Sequence, residues 1–167
     1  MTMTHARELA PEDATAVAAL WHAGALESGA RDPGFLPRMP VGDYANQVSK
    51  ELADGQLLGW GVFGEQHDEL HAYLTAQVVG PSVEWQQDGH LYVLDVDVHV
   101  AQRRKGHATY LLGQAVAHAQ GLGLTRIELS WLATDPRSSA LWGKLGFRPF
   151  LHKGYLSIGA VAEGRLE

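Results

Sequence analysis

The apolar pattern of this chain changes from strand period to helix period across one short cationic junction, and that junction limits the folds open to it. From Leu91 to Val100 apolar side chains dominate a run that reads as a strand. From Ala108 onward they recur at Leu111, Leu112, Ala115, Val116 and Ala119, the i, i+3, i+4, i+7, i+8 spacing of one helix face. Between the two patterns stand Arg103, Arg104, Lys105 and Gly106. A strand must end, cross a cationic glycine turn and enter a helix that packs back on its own sheet, which calls for a layered α/β arrangement.

The flanking sequence supplies the other layers. Ala6 to Leu9 is a candidate first strand. Pro11, Glu12 and Asp13 suit a helix start, and Ala14, Val17, Ala18 and Trp21 follow at helical spacing. Gly29 to Gly42 holds three prolines and reads as loop, and a second helix is expected from Tyr44 to Ala53. Leu57 to Phe63 and His71 to Val79 read as a hairpin. Gly121 and Gly123 can end the helix after the junction. Thr125 to Leu132 alternates as a strand, Asp135-Pro136 opens a helix that stops at Gly146, and Phe150 to Ile158 offers a last strand or pair of strands. The expected order is β-α-α-β-β-β-α-β-α-β in one domain over 1–167, a mixed α/β (α+β) sheet flanked by helices.

Composition narrows the chemistry. At 167 residues, with 46% hydrophobic and 19% charged residues, the chain can bury a core of its own. It has no cysteine, which excludes disulfides, thiolate ligands and a cysteine nucleophile. The first residues carry no basic segment leading into an apolar run, and no stretch nears the roughly 20 apolar residues of a membrane helix, so a cytoplasmic protein without a membrane partner is expected. The net charge of −6 disfavours nucleic acid and mildly favours a cationic substrate.

Two motif matches are rejected. Gly59-x-Gly61-x-x-Gly64 fits a dinucleotide fingerprint, but Trp60, Val62 and Phe63 place it inside a strand rather than at a strand-to-helix turn. His67 to His71 resembles a zinc-binding HExxH, but its glutamate is one place late and the segment reads as a hairpin turn, so no metal site is expected.

By spacing alone the junction reads either as basic residues in a surface turn before a helix or as an anion cradle. Free N–H groups and the positive dipole end at a helix start favour negative charge, Gly106 allows close approach to the backbone, and Arg103, Arg104 and Lys105 add charge. Val98-x-x-x-x-Arg103-x-x-Gly106-x-Ala108 resembles the GNAT acetyltransferase pattern (Gln or Arg)-x-x-Gly-x-(Gly or Ala), which binds the pyrophosphate of coenzyme A. A second signature follows at the family's spacing. Asp135-x-x-Ser138-x-x-x-Trp142-x-x-x-Gly146-Phe147 is similar to Asn-x-x-Ala-x-x-x-Tyr-x-x-x-Gly-Phe, with Asp135, Ser138 and Trp142 as departures.

The resemblance implies an N-acetyltransferase using acetyl-CoA as co-substrate, without metal, on a small-molecule or peptide primary amine in a ternary complex. It implies that the backbone of Val98 and Val100 meets the pantetheine arm and that Arg103, Arg104, Lys105, Gly106, His107, Ala108 and Thr109 wrap the pyrophosphate. Asp135 and Ser138 are secondary ligand candidates, Asp135 also suiting a helix N-cap. The family often places its general base on the strand entering the cradle. Counting back from Val98 in an ideal strand, that face holds Val96, Leu94, Tyr92 and His90, with His90 the best-typed base. Asp95, Asp97 and His99 point the other way unless a bulge intervenes. Glu128 and Glu84 remain alternatives. Trp142 cannot serve as the acid that the family's tyrosine provides. Ser138, Ser139 or Tyr155 is the better candidate acid. The Trp142 departure also leaves open an acyl-CoA-binding sensor or regulatory module without efficient turnover. Acceptor identity and oligomeric state, homodimer included, are not legible.

Overall fold

A computed structural model describes residues 5–65 and 69–155. The elements run β1 (His5–Glu8), a 3-10 turn (Pro11–Asp13), α1 (Ala14–Arg31), a second 3-10 turn (Pro33–Phe35), α2 (Val41–Ala53), β2 (Leu58–Phe63), β3 (Leu70–Val79) and β4 (His90–Val98). A third 3-10 turn (Val100–Gln102), α3 (His107–Gly121), β5 (Ile127–Leu129) and α4 (Pro136–Lys144) follow. The five strands found among the described residues lie in sequence order, antiparallel except for the parallel pair β4–β5, which α3 connects. Parallel neighbours need such a crossover, and a helix on the sheet face supplies it.

Each face of the sheet buries its own apolar cluster. Trp60, Val62, Leu74, Leu91 and Val93 pack against Leu111, Ala115 and Ala119 of α3. On the other face Phe63, Leu70 and Tyr73 meet Val17 and Leu20 of α1 and Val48 of α2. Leu111 is wholly buried, so Leu111→Ala is expected to cost about 2–5 kcal/mol of unfolding free energy, read by denaturant titration.

The expected boundaries shift at several places. The helix after Pro11 runs on to Arg31, so the loop expected from Gly29 is shorter, and α2 starts right after Pro40 rather than at Tyr44. Val116, expected on the buried stripe of α3, is exposed, and His107 is buried instead. The strand expected to reach Val100 ends at Val98, because His99 Nδ1 accepts from Ala101 N–H (3.3 Å) and its carbonyl from Gln102 N–H (2.8 Å), turning the chain. The strand expected over 125–132 contracts to three residues, since its pairing with β4 stops at Val93–Leu129. Residues 150–155 carry no regular structure, and the rest of the expected last strand lies outside the described residues.

The feature that positions the site is a bulge in β4. Asp95 pairs with Thr75 and Val93 with Ala76, leaving Leu94 without a partner on β3. One extra residue inverts side-chain alternation. Leu91 and Val93 face α3, and beyond the bulge so do Val96 and Val98. Asp95 and Asp97 are thereby turned to the α1–α2 face, which His90 and Tyr92 share at the strand's start.

Candidate active site

The bulge also opens a backbone slot. Ala72 lies opposite Val98, and His99 N–H donates to His71 O at 2.8 Å. That bond makes Ala72–Val98 a non-hydrogen-bonded pair, so the peptide groups of Val98, and by alternation those of Val96, point away from β3. They point toward the β5 side, where strand pairing among the described residues has already stopped. Val98 O is partly engaged by Arg103 Nε at 3.2 Å. Val100, in the 3-10 turn, has left this edge.

The cradle closes one end of the slot. Arg103 has φ −64°, Arg104 +65° and Gly106 +85°. A left-handed arginine costs roughly 1–2 kcal/mol. Arg103 is extended (ψ 156°) and Arg104 left-handed, a turn in which successive N–H groups can line one concavity. Gly106 is the N-cap of α3 and brings no side chain, so the first N–H groups of the helix stay uncapped. A Cβ at Gly106 would meet nothing within 4 Å among the described residues, so they leave the concavity open. These are the features a pyrophosphate requires. Ala108 and Thr109 lie in the first turn, and Arg104 and Lys105 are exposed beside it.

Arg103 does not reach outward. Its guanidinium makes a bidentate pair with Glu27 of α1, at 2.6 and 3.2 Å, and Glu27 also accepts from Arg137 Nη2 at 3.2 Å. Hydrogen bonding from Arg103 holds the Glu27 carboxyl below the usual carboxylate range. His107 turns its ring inward, 6.2 Å from that of His71, with Nε2 buried and without a hydrogen-bond partner among the described residues, so its backbone rather than its ring faces the cradle. Burial, with His71 and Lys105 nearby, lowers the pKa of His107. Asp135 caps α4 by accepting from Arg137 N–H (3.2 Å) and from the Ser138 hydroxyl (2.7 Å).

Two carboxyls stand on the α1–α2 face at the slot. Tyr73 O–H donates to Asp97 Oδ2 (3.0 Å), and Tyr44 O–H to Asp95 Oδ2 (3.2 Å). Burial pushes Asp97 up to about 7, against the Tyr73 hydrogen bond and with Asp95 adding to the rise. Burial also raises Asp95, the Tyr44 bond offsetting part of it. A carboxyl poised near neutrality suits general-base work. Asp95 and Leu94 line a cleft of about 240 Å³ with Tyr44 and Glu51 of α2. A larger hollow of about 560 Å³, lined by Gln56, Gln77, His118 and Leu122, contains neither cradle nor carboxyl pair, and its size alone gives it no chemistry.

The other candidates stand elsewhere. His90 Nε2 lies 3.6 Å from Glu128, and Tyr92 O–H is 2.8 Å from Ser130 Oγ, at the start of β4. At about 3.3 Å per residue His90 is roughly 20 Å from Val96 along the strand. Tyr155 is 91% exposed. Glu84 is exposed in the β3–β4 loop. Ser139 accepts from Trp131 Nε1 at 3.0 Å. Asp95 and Asp97 escape an ideal-strand count, because no glycine or proline marks Leu94 as a bulge. Trp142 is buried, edge-on to Phe147 at 5.6 Å. Trp142→Phe is therefore expected to lower turnover less than about tenfold, or ~1.4 kcal/mol of barrier, in steady-state assay.

Among the described residues no helix is long and apolar enough to cross a membrane, and no group of three or more His, Cys, Asp or Glu is placed to hold a metal. No curated protein matches the sequence. Solved structures do match the fold. A GCN5-related N-acetyltransferase from Ralstonia eutropha JMP134 is 24% identical, with a TM-score of 0.74, over 93% of this chain and 99% of that one. A predicted acetyltransferase from Clostridium acetobutylicum, solved with acetyl-CoA, is 16% identical, with a TM-score of 0.72, over 95% and 98%. A mutant of the BH1408 protein from Bacillus halodurans is 18% identical, with a TM-score of 0.80, over 92% and 99%. At these identities the likeness is one of fold. The family model described as "Acetyltransferase (GNAT) family" matches residues 42–147, from the start of α2 through the cradle to the Gly146-Phe147 ending, and the chain belongs to that family.

Proposed function

We propose that the protein is an N-acetyltransferase that moves an acetyl group from acetyl-CoA to a primary amine by direct attack. The observation that carries this reading is the slot. One open strand edge, at Val96 and Val98, runs into one uncapped helix start at Gly106, with a carboxyl held near neutrality on the adjacent face. The pyrophosphate sits on the N–H groups of Arg104 to Thr109, and the pantetheine arm lies along Val96 and Val98. Val96 N–H, aimed into the slot, donates to the oxygen of the thioester carbonyl as it gains charge. The ammonium enters through the cleft beside Asp95, whose carboxylate and that of Glu51 favour a cation. Asp97 takes its proton. The amine nitrogen then attacks the thioester carbon, the tetrahedral intermediate collapses with cleavage of the C–S bond, and the second proton of the attacking nitrogen passes to the departing thiolate or to water. A thiol of pKa near 8.5 leaves without obligatory protonation, so the buried Trp142 is no obstacle to turnover.

The C. acetobutylicum structure, which contains acetyl-CoA, supports the co-substrate. The chain has no cysteine to carry an acyl group. Initial-rate lines with acetyl-CoA and a working amine from a polyamine, amino-acid and peptide panel are expected to intersect. Parallel lines, or a stable acetyl adduct on a side chain, would contradict direct attack. Tight acetyl-CoA binding with no release of free coenzyme A across the panel would favour the sensor reading.

A further inference from the structure

Asp97 lies under the middle of α1, where Gly24 faces it. A Cβ built on Gly24 would lie 2.9 Å from Asp97 Cγ and 3.3 Å from Oδ2, and closer still to Oδ1. No real Cβ tolerates the first of these contacts without displacement. The glycine is not required by its backbone, since Gly24 is absent from the positive-φ glycines, which among the described residues are Gly55, Gly106, Gly123 and Gly146. Mid-helix glycine costs roughly 1 kcal/mol relative to alanine. The steric account is therefore the one the geometry supports: the missing side chain is the space the carboxyl occupies. Tyr73, fully buried, fixes Oδ2 of the same carboxyl through its hydroxyl at 3.0 Å.

We propose that Gly24 and Tyr73 form the seat of the Asp97 carboxyl and are positioning residues for proton transfer, the glycine by leaving room under α1 and the tyrosine by fixing one oxygen. The inference rests on the reading of Asp97 as the base. The other groups that face this carboxyl are Asp95 on its own strand, Tyr44 on α2, Arg103 in the cradle turn and Glu27 on α1. Burial outweighs them, and the seat is what enforces burial. A methyl group at position 24 pushes the carboxyl toward water, and its pKa falls toward the ordinary range. Loss of the Tyr73 hydroxyl removes a bond that favours the charged form, and the pKa rises.

The test follows the Asp Cγ resonances of the full chain, 13C-labelled at aspartate, through neutral pH. In the wild type a carboxyl titration near 7 is expected that is missing in Asp97→Asn. In Gly24→Ala its midpoint falls by more than about one pH unit toward the ordinary value near 4. In Tyr73→Phe it rises. A folded Gly24→Ala protein that keeps the wild-type midpoint overturns the inference. If that variant does not fold, Tyr73→Phe decides, and an unmoved or lowered midpoint overturns the inference. The base reading fails separately: Asp97→Asn that transfers acetyl at the wild-type rate removes the catalytic role while leaving the seat intact.

Discussion

Asp97→Asn is expected to lower the rate of acetyl transfer at neutral pH by at least about 100-fold, with acetyl-CoA affinity nearly unchanged. The change removes the proton acceptor but keeps the shape of the group, and the Tyr73 hydroxyl can still donate to the amide oxygen. In the wild type the rate should rise with pH through about 7 as Asp97 loses its proton. The stability effect has the opposite sign. Between the ordinary carboxylate range and 7 the folded state binds more protons than the unfolded state, so stability falls as pH rises across that window. Asparagine carries no charge to desolvate, so Asp97→Asn should melt higher than the wild type above pH 7. A rate within a few-fold of wild type would return the base to another group, with Asp95 the first to examine.

The second large effect is expected at the cradle. Gly106→Glu should abolish measurable binding of coenzyme A by calorimetry, a loss greater than about 100-fold, while the far-ultraviolet spectrum stays native. Two physical contributions combine. Any side chain at φ +85° is strained by roughly 1–2 kcal/mol, and a carboxylate there places like charge in the proposed pyrophosphate site. Gly106→Ala separates them, since it carries the strain alone, and an intermediate affinity is expected. Equal losses in the two variants would assign the whole effect to backbone strain rather than to the anion site.

The sequence makes the cradle and the element order legible because both depend on local chemistry. A period change across Arg103–Gly106 is a strand–turn–helix junction wherever it occurs, and Asp135-Pro136 is a helix start by its own capping bonds. The parts that shift depend on partners far along the chain. The strand at 127–129 stops where β4 bulges away from it, and nothing within 125–132 encodes that. The facing of Asp95 and Asp97 depends on one unpaired residue, Leu94, opposite Thr75 and Ala76. Without the bulge the alternation points to His90 and Tyr92. With it the two acids join the face of Tyr44 and Tyr73. His107 illustrates the same limit, since a residue typed for anion binding turns its ring to His71, 36 positions away in sequence, and leaves only its backbone in the cradle. Gly24 carries no signal in α1 by itself, because its reason lies on another strand.

The claim that joins these parts is that the β4 edge and the α3 start form one acyl-CoA slot with Asp97 at its side. A crystal structure of the full chain with acetyl-CoA measures it directly. The account predicts pyrophosphate oxygens within hydrogen-bond distance of the backbone N–H groups between Arg104 and Thr109. It also predicts the pantetheine arm bonded to the backbone of Val96 and Val98, and the thioester oxygen at Val96 N–H. Acetyl-CoA bound elsewhere on the sheet, or in the slot with its thioester beside His90, would contradict it.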